Sequence, residues 1–341
     1  MKQQQPFVVG LVAGAAAVFG GYRVLRSRRR IELSGRTVVI TGGSRGLGLV
    51  LARQFARQGA RVCLLARDRA ELARAAAQVA QSSDAGVETY SCDVRSKADV
   101  EQAIGLILER HSVIDVLVNN AGVIQVGPLE HMQTEDFENA MATHLWGPLY
   151  TMQACLPAMK RRGFGRIVNI SSIGGRIAVP HLAPYSVSKF ALVGLSDAVR
   201  AEVARHGVRV TTVSPGLMRT GSPIQAQFKG QQDQEFTWFA IADAIPGMSI
   251  GAERAARQIV DACRNGDPEL TIGLPAKAAV AVSALAPTVF AVVTAAVVRC
   301  LPGPAGASGD RLKRGREARS PWAPSMVTKL SDRAAMANNE V

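Results

Sequence analysis

Short apolar runs alternate with longer amphipathic stretches through most of the chain, between residues 36 and 272. The short runs are dense in Val, Ile and Leu, which is typical of strands in a parallel sheet buried on both faces. The stretches between them repeat apolar residues at helical spacing, so a helix follows most strands. The pattern therefore predicts a doubly wound parallel α/β sheet of the Rossmann type, with about seven strands.

The predicted strands are residues 36–40, 61–65, 87–91, 113–118, 166–170, 209–213 and 270–272. The predicted helices are residues 48–58, 69–81, 97–110, 134–161, 184–205 and 252–265. No repeat or linker interrupts residues 31–274, so we expect a single domain over this range.

Two apolar segments lie outside this domain, and the first is residues 7–22, followed by five arginines within residues 23–30. A spanning helix needs about 20 residues, so the segment is short unless residues 24–25 extend it. The arginines follow the apolar run, which opposes a cleaved signal peptide and places the next domain on the cytoplasmic side. We expect residues 1–30 to be an N-terminal membrane anchor with a basic flank.

The second apolar segment is residues 278–298, which carry no charge and are interrupted by Pro287. We expect residues 275–301 to be an apolar C-terminal helical extension of one or two helices that pack beside the core or lie on a membrane surface. A second membrane span is the alternative. Residues 302–341 begin with a stretch rich in Gly, Pro, Arg and Ser, which predicts a disordered basic tail.

The distribution of charge and the cysteine content indicate which binding partners and which cellular compartment suit this protein. The net charge is +13, but the basic residues cluster at 23–30 and 311–319, beside the apolar segments. A membrane surface explains this layout better than nucleic acid, which we do not expect as a partner. The five cysteines are widely separated and form no C-x-x-C pair. They predict neither a disulfide framework nor a metal site, and they suit a reducing compartment.

A glycine-rich stretch, Thr41-Gly-Gly-Ser-Arg-Gly-Leu-Gly48, follows the first predicted strand and opens a helix. Its glycines let the backbone approach a phosphate, and the helix N-terminus favours negative charge. The pattern indicates a site for the pyrophosphate of a nucleotide. The candidate binding residues are Thr41, Gly42, Ser44, Arg45, Gly46, Leu47 and Gly48.

Tyr185 and Lys189 are four residues apart on a predicted helix, so their side chains share one face. A phenol titrates near pH ~10, and a nearby cation favours its ionised form. Ser172 follows the predicted strand at residues 166–170 and adds a hydroxyl group. Aimed at one point, these three groups could move a proton on and off a carbonyl oxygen.

In this order and spacing, the motifs resemble the single-domain subgroup of the short-chain dehydrogenase/reductase family, from about residue 33 to about residue 273. The resemblance implies a nicotinamide-dependent oxidoreductase acting on CH–OH or C=O groups. Ser172 would orient the substrate oxygen, and Tyr185 would protonate it. Lys189 would hydrogen-bond the nicotinamide ribose and lower the pKa of Tyr185.

The same resemblance implies further cofactor contacts. Asp93 would hold the adenine amino group, and Val94 would pack on the ring. The residues expected at the adenosine ribose are Asn120, Ala121 and Gly122. Those expected at the nicotinamide carboxamide are Pro215, Gly216 and Thr220.

Cofactor preference is expected at the end of the second strand, where NAD-binding folds place an acid that holds the ribose 2′-hydroxyl. Ala66 stands at that position and Arg67 follows it. With Arg45 in the glycine-rich stretch, two guanidinium groups suit a 2′-phosphate, so we expect NADP(H) to be preferred over NAD(H). If the position of that acid is misplaced in the sequence, Asp68 would instead be the carboxylate that holds the ribose 2′-hydroxyl.

One departure from the family pattern lies in the helix before the serine strand. The family places an Asn there, three residues before a Gly, where it organises a water relay to the lysine, and this chain has His144. Imidazole can also relay protons, so His144 is a candidate catalytic residue. The alternative is a neutral histidine with a structural role.

Aromatic residues are frequent between residues 221 and 250, where we expect a lid over an apolar pocket. Together with the anchor, this predicts a lipophilic small-molecule substrate, and we expect a homo-oligomer. The alternative is that these aromatics pack the lid or a subunit interface. Two other functions remain open: a non-catalytic NADP-binding sensor or scaffold, and a sugar-nucleotide epimerase or dehydratase, whose usual glycine spacing and larger C-terminal domain this chain lacks.

Overall fold

A seven-stranded parallel sheet forms the centre of the protein. The structure is a computed structural model that describes residues 20–83, 85–245, 247–323, 325 and 328–341. The strand order is β3-β2-β1-β4-β5-β6-β7, and every neighbouring pair is parallel. The order reverses between β1 and β4, where such sheets bind ligands at the carboxyl ends of the strands. The strands are β1 (Thr37–Thr41), β2 (Arg61–Ala66), β3 (Val87–Ser91), β4 (Val116–Asn119), β5 (Gly165–Ile170), β6 (Val208–Pro215) and β7 (Glu269–Ile272).

Helices cover both faces of this sheet, as the apolar pattern predicts. One face packs against α1, α2 and α8, and the other against α3, α5 and α6. The predicted α/β sheet and its seven strands are therefore confirmed. These helices are α1 (Gly46–Ala56), α2 (Arg69–Ala80), α3 (Lys97–His111), α5 (Gly147–Arg162), α6 (Ala183–Val203) and α8 (Ala252–Asn265), while α4 (Thr134–Met141) precedes α5 and α7 (Gln232–Ala244) lies in the predicted lid.

The helix predicted at residues 134–161 is interrupted. Between α4 and α5, a π-helical turn spans Ala142–Trp146, and the amide of Gly147 donates to the carbonyl of Ala142. Such turns are rare and occur frequently at functional sites. The turn carries His144, which is fully buried.

The apolar extension forms two helices, α9 (Leu274–Leu285) and α10 (Pro287–Val298). They are separated at Ala286, because the proline ring disfavours helical backbone in the preceding residue. All residues of α10 are described and none of them is buried, although the helix is almost entirely apolar. Among the residues that the structure describes, no helix combines the length and apolarity needed to cross a bilayer.

Most of the predicted anchor, residues 1–19, lies outside the described residues, and the described residues give the anchor no support. Residues 20–28 form a helix that rests on the core domain. Arg26 Nε lies 2.8 Å from Asp267 Oδ1, and Arg26 Nη2 lies 2.7 Å from Asp261 Oδ2. Part of the basic flank thus pairs with acidic groups of the protein itself.

The described part of residues 302–341 is ordered, in contrast to the predicted disordered tail. Lys313–Arg314 pairs antiparallel with Gln227–Phe228, and α11 (Lys329–Ala337) follows. One basic residue of this segment pairs with an acidic residue of the lid: Lys313 Nζ lies 2.6 Å from Asp233 Oδ1. The amino-acid composition of this segment predicts disorder, because composition does not reveal contacts with residues that are distant in the sequence.

Candidate active site

The glycine-rich loop between β1 and α1 has no room for side chains at two positions. A Cβ atom at Gly42, whose φ is +62°, would lie 2.8 Å from the Cα atom of Ala121. At Gly48 it would lie 2.1 Å from the carbonyl oxygen of Gly42. Gly46 also has positive φ, +54°, which favours glycine. The loop therefore presents bare backbone at the N-terminus of α1, which fits a dinucleotide pyrophosphate.

The loop is held to the end of β4 by Thr41 and Asn120. Thr41 Oγ1 accepts hydrogen bonds from the amides of Asn120 and Ala121, at 3.0 and 3.1 Å. Asn120 Nδ2 donates to the carbonyl oxygens of Thr41 and Gly42, both at 3.1 Å. The Asn120 side chain therefore stabilises the conformation of the glycine-rich loop. The sequence predicts only a contact with the ribose for this residue.

The expected adenine contacts lie beyond the end of β3. The Asp93 carboxylate pairs with Arg95 at 2.6 Å, which holds its pKa below the usual range. Val94 is buried and packs beside Gly147, at the start of α5. The structure therefore gives Asp93 a basic partner within the protein.

The residues expected to decide cofactor preference lie at the end of β2. Ala66 is the last residue of the strand and Arg67 is exposed after it. Asp68 is the N-cap of α2 and accepts a hydrogen bond from the amide of Glu71, which lowers its pKa. The Glu71 carboxylate in turn lies 3.0 Å from Arg45 Nη1. A phosphate bound by Arg45 would have to compete with Glu71.

Ser172, Tyr185 and Lys189 meet at the carboxyl end of β5. Ser172 Oγ accepts from the amide of Gly174 at 3.0 Å, and the Ser172 hydroxyl is also hydrogen-bonded to the phenol of Tyr185. Lys189 Nζ donates to the carbonyl of Ile170 at 2.8 Å and lies 5.6 Å from the centroid of the Tyr185 ring. The three predicted side chains therefore converge.

Their protonation differs from what the resemblance implies. Burial raises the pKa of the Tyr185 phenol above its ordinary value near 10, and the hydrogen bond with Ser172 acts in the opposite direction. Burial also lowers the pKa of Lys189 to about 7, so its amine is only partly charged at neutral pH. The expectation that Lys189 lowers the pKa of Tyr185 is not met in this structure, because desolvation dominates both groups.

His144 has both ring nitrogens engaged by protein groups. Its Nε2 accepts from the amide of Val123 at 3.1 Å, so Nδ1 carries the proton and donates to Ser188 Oγ at 2.7 Å. Burial, with the nearby charge of Lys189, holds the pKa of His144 well below its ordinary 6.5. The ring also contacts the edge of Tyr185, with centroids 5.5 Å apart. This is the geometry of a neutral, positioning histidine.

Two sets of polar residues near the site escape sequence reasoning. Ser188 Oγ accepts from His144 and donates to the carbonyl of Tyr185 at 2.8 Å; its place just before Lys189 was a usable signal. Beneath the site, buried side chains form a hydrogen-bonded chain that no local pattern reveals: Thr151, Asn119, Asn169 and Ser196.

The expected carboxamide contacts follow β6. Pro215 ends the strand, and the amide of Gly216 donates to the carbonyl of Ile272 at 2.9 Å. Thr220 is buried, and its carbonyl lies 3.4 Å from Asn338 Nδ2. Residues near the C-terminus therefore lie close to the predicted cofactor site.

The predicted lid aromatics divide into two groups. Phe228, Phe236 and Phe239 are buried against one another, with Phe228 and Phe236 ring centroids 5.5 Å apart. Met248 is exposed. Most of these side chains thus pack the lid itself, which was the alternative interpretation. The cluster nevertheless borders Tyr185, so it forms an apolar wall beside the phenol.

Comparisons with known proteins agree with this geometry. The model of a family described as short chain dehydrogenase matches residues 36–230. The chain is 37% identical over 222 residues to dehydrogenase/reductase SDR family member 7B of Danio rerio, which covers 63% of this chain and 72% of that protein. Among solved structures, a short-chain dehydrogenase from Streptomyces avermitilis aligns with a TM-score of 0.65 and 28% identity, over 78% of this chain and 98% of that one.

A metagenomic short-chain oxidoreductase, solved in complex with NADP, aligns with a TM-score of 0.52 and 37% identity, over 55% of this chain and 83% of that one. The family match covers more than half of the chain and includes the glycine-rich loop, Ser172, Tyr185 and Lys189. The chain therefore belongs to the short-chain dehydrogenase family, whose members are oxidoreductases acting on CH–OH and C=O groups.

Proposed function

We propose that this protein is an NADP(H)-dependent oxidoreductase for a lipophilic ketone, aldehyde or alcohol, working at a membrane surface. The observation that carries the proposal is the convergence of Ser172, Tyr185 and Lys189 at the carboxyl end of β5, on the same edge of the sheet as the glycine-rich loop after β1. The bound nicotinamide would supply or accept the hydride.

The chain's own groups handle the substrate oxygen and its proton. Ser172 Oγ is placed to hold that oxygen, since it already shares a hydrogen bond with the Tyr185 hydroxyl. The Tyr185 phenol, protonated because its pKa is raised, can donate to the oxygen of a carbonyl. Lys189, whose pKa is about 7, can hold or release a proton at neutral pH. These roles suit reduction and its reversal equally.

The NADP preference rests on the end of β2. Ala66 leaves this position without a carboxylate, and Asp68 is engaged as the N-cap of α2. Arg67 is exposed and Arg45 lies in the adjoining loop, so two guanidinium groups flank the place expected for a 2′-phosphate. A structural relative was solved with NADP.

The lipophilic substrate and the membrane location rest on two apolar surfaces. The apolar cluster that contains the lid phenylalanines packs against Tyr185, which supports an apolar surface beside the candidate proton donor. The helices α9 and α10 expose Leu285, Val289 and Val292, among other apolar side chains, with Lys277 and Arg299 at the two ends of the uncharged stretch. Such a pair suits the boundary between lipid headgroups and acyl chains. A cytoplasmic orientation and a homo-oligomer stay predictions.

The test is a titration of the purified protein with NADPH and with NADH, followed by a screen of lipid carbonyls that monitors NADPH consumption. Arg67→Ala should weaken NADPH binding by about 1.5–3 kcal/mol and leave NADH binding nearly unchanged, because NADH lacks the 2′-phosphate. Arg69→Ala, at the exposed start of α2, is the matched control and should change neither. Equal losses for the two cofactors in Arg67→Ala would contradict the proposed preference.

A further inference from the structure

The last residues of the chain lie on the glycine-rich loop. Asn338, Asn339 and Glu340 are buried, with exposed fractions of 4%, 7% and 5%. The carbonyl of Asn338 accepts from the amide of Gly46 at 2.8 Å, which is the first residue of α1. A helix N-terminal amide of this kind is the group that a pyrophosphate would use.

Side chains fix this segment to both sides of the loop. Asn339 Nδ2 donates to the carbonyl of Ser44 at 2.8 Å, and Arg74 Nε donates to Asn339 Oδ1 at 2.9 Å. Arg53 Nη2 donates to Asn338 Oδ1 at 2.7 Å. The contacts are specific in direction and partner, so the segment is docked rather than merely adjacent.

Glu340 brings a carboxylate to the position expected for an anion. Its Oε1 lies 2.5 Å from where a Cβ of Gly46 would stand. Its Oε2 lies 3.4 Å from Arg45 Nε, the guanidinium expected to bind the 2′-phosphate. Buried as it is, this oxygen finds no hydrogen-bond donor among the described residues. The Glu340 carboxyl group thus occupies the place expected for a phosphate, beside Arg45 and the N-terminus of α1.

The rest of the tail connects the loop to the lid. Gln225 Nε2 donates to the carbonyl of Glu340 at 2.8 Å. A Cβ at Gly221 would lie 2.5 Å from the Cα of Ala335, so α11 lies directly on the backbone after β6. Ser331 Oγ lies 3.4 Å from Asp243 Oδ2 on the lid helix α7. The docked tail therefore spans the glycine-rich loop and the lid together.

From these contacts we propose that the C-terminal segment, residues 338–341, is an intramolecular competitor of the dinucleotide and must leave the glycine-rich loop before the cofactor binds. The inference rests on the proposed dinucleotide site. The amide of Gly46 and the space above it cannot serve both Asn338 and a pyrophosphate. The apparent affinity for the cofactor is therefore reduced by the fraction of molecules whose tail is docked.

The test compares NADPH binding to the full-length protein, to a protein truncated after Ala337, and to Asn339→Asp. The Asp variant keeps the size of the side chain but loses the donor to the backbone carbonyls of Ser44 and Glu71, so it covers the case in which the truncated chain fails to fold. Both changes should tighten NADPH binding by about tenfold if the tail is docked in about nine molecules of ten. Met336→Ala, at a side chain that is 71% exposed, is the matched control and should bind like the full-length protein.

A second readout does not depend on affinity. Carboxypeptidase should release residues 338–340 slowly from the full-length protein and faster after NADPH is added, because the cofactor displaces them. Equal NADPH affinity of the full-length, truncated and Asn339→Asp proteins would overturn the competition and leave the proposed function intact. A folded truncated protein that binds neither NADPH nor NADH would overturn the proposed function, and the competition with it.

Discussion

His144 is hydrogen-bonded to Ser188, with 2.7 Å between Nδ1 and Oγ. The Ser188 hydroxyl donates to the carbonyl of Tyr185. The other ring nitrogen of His144, Nε2, accepts from the amide of Val123, which follows β4. One imidazole therefore ties the helix of the candidate proton donor to the loop expected to line the cofactor. Because the amide of Val123 donates to Nε2, the ring proton lies on Nδ1, and His144 acts as a positioning group.

Replacing His144 by Asn should leave the pH dependence of turnover in place. The pKa of the buried imidazole is held well below 6.5, so it stays neutral through the working range and has no titration to lose. The shorter amide cannot reach both Ser188 and Val123, so the free energy of unfolding should fall by about 1–3 kcal/mol. Turnover across pH and thermal unfolding are the measurements. A pH profile displaced in His144→Asn but not in His206→Asn would instead assign His144 to proton transfer.

Replacing Tyr185 by Phe should lower turnover by about two to four orders of magnitude, because the phenol is the group placed to exchange a proton with the substrate oxygen. Cofactor affinity should stay close to that of the unaltered protein. Lys189→Ala should lower both, since Lys189 is expected at the nicotinamide ribose. Steady-state kinetics and NADPH titration separate the two effects. Turnover near the original rate in Tyr185→Phe would remove the phenol from the reaction.

Docking of the C-terminal tail should weaken as the pH rises. Burial and the nearby Glu71 carboxylate raise the pKa of Glu340 to about 7 from an ordinary value of 4.5, while Arg45 acts in the opposite direction. A carboxyl group whose pKa is raised in the docked state favours docking most when it is protonated. That contribution is lost as the pH rises from about 4.5 through about 7.

The measurement is the ratio of the NADPH dissociation constants of the full-length and Glu340→Gln proteins between pH 5.5 and 8. The ratio cancels the ionisation of the cofactor itself and should fall as the pH rises. A ratio that does not change with pH would show that the Glu340 carboxyl does not control docking.

The exposed face of α10 should mediate attachment to lipid. Val289 and Val293 are 59% and 54% exposed, and replacing both by Glu should reduce flotation with anionic vesicles because charge opposes insertion. Thermal stability should not change, since none of the described residues of α10 is buried. Leu106→Glu, on α3 with 47% exposure, is the matched control. Undiminished flotation of the double variant would place attachment elsewhere; deletion of residues 1–19, which retains Arg26, would test the predicted anchor.

Much of the fold is written in local patterns. The helix at Ala252–Asn265 has the predicted bounds, because its apolar stripe ends at Gly266, whose φ is +64°. The strands are apolar runs, and the glycine-rich loop is specified by steric limits that only glycine meets. Sequence reasoning therefore recovers the sheet and the convergence of Ser172 with Tyr185.

What the sequence does not reveal depends on distant partners. Asn338 and Asn339 are ordinary tail residues until Gly46 and Ser44 are placed beside them. The protonation of Lys189 is set by burial, which spacing along a helix does not encode. The neutral state of His144 likewise depends on burial and on Lys189, which lies on another helix.

The π-helical turn at Ala142–Trp146 also fixes the angular register of the helix that follows it. Each residue advances an α-helix by about 100°, so a turn with one extra residue rotates everything after it by that amount. Met152, Cys155 and Met159, each about 1% exposed, point into the core in the register that this offset sets. Deleting one residue within 142–146 could restore a regular helix, but it would turn those three side chains away from the sheet. The length of this segment is therefore constrained to the single residue.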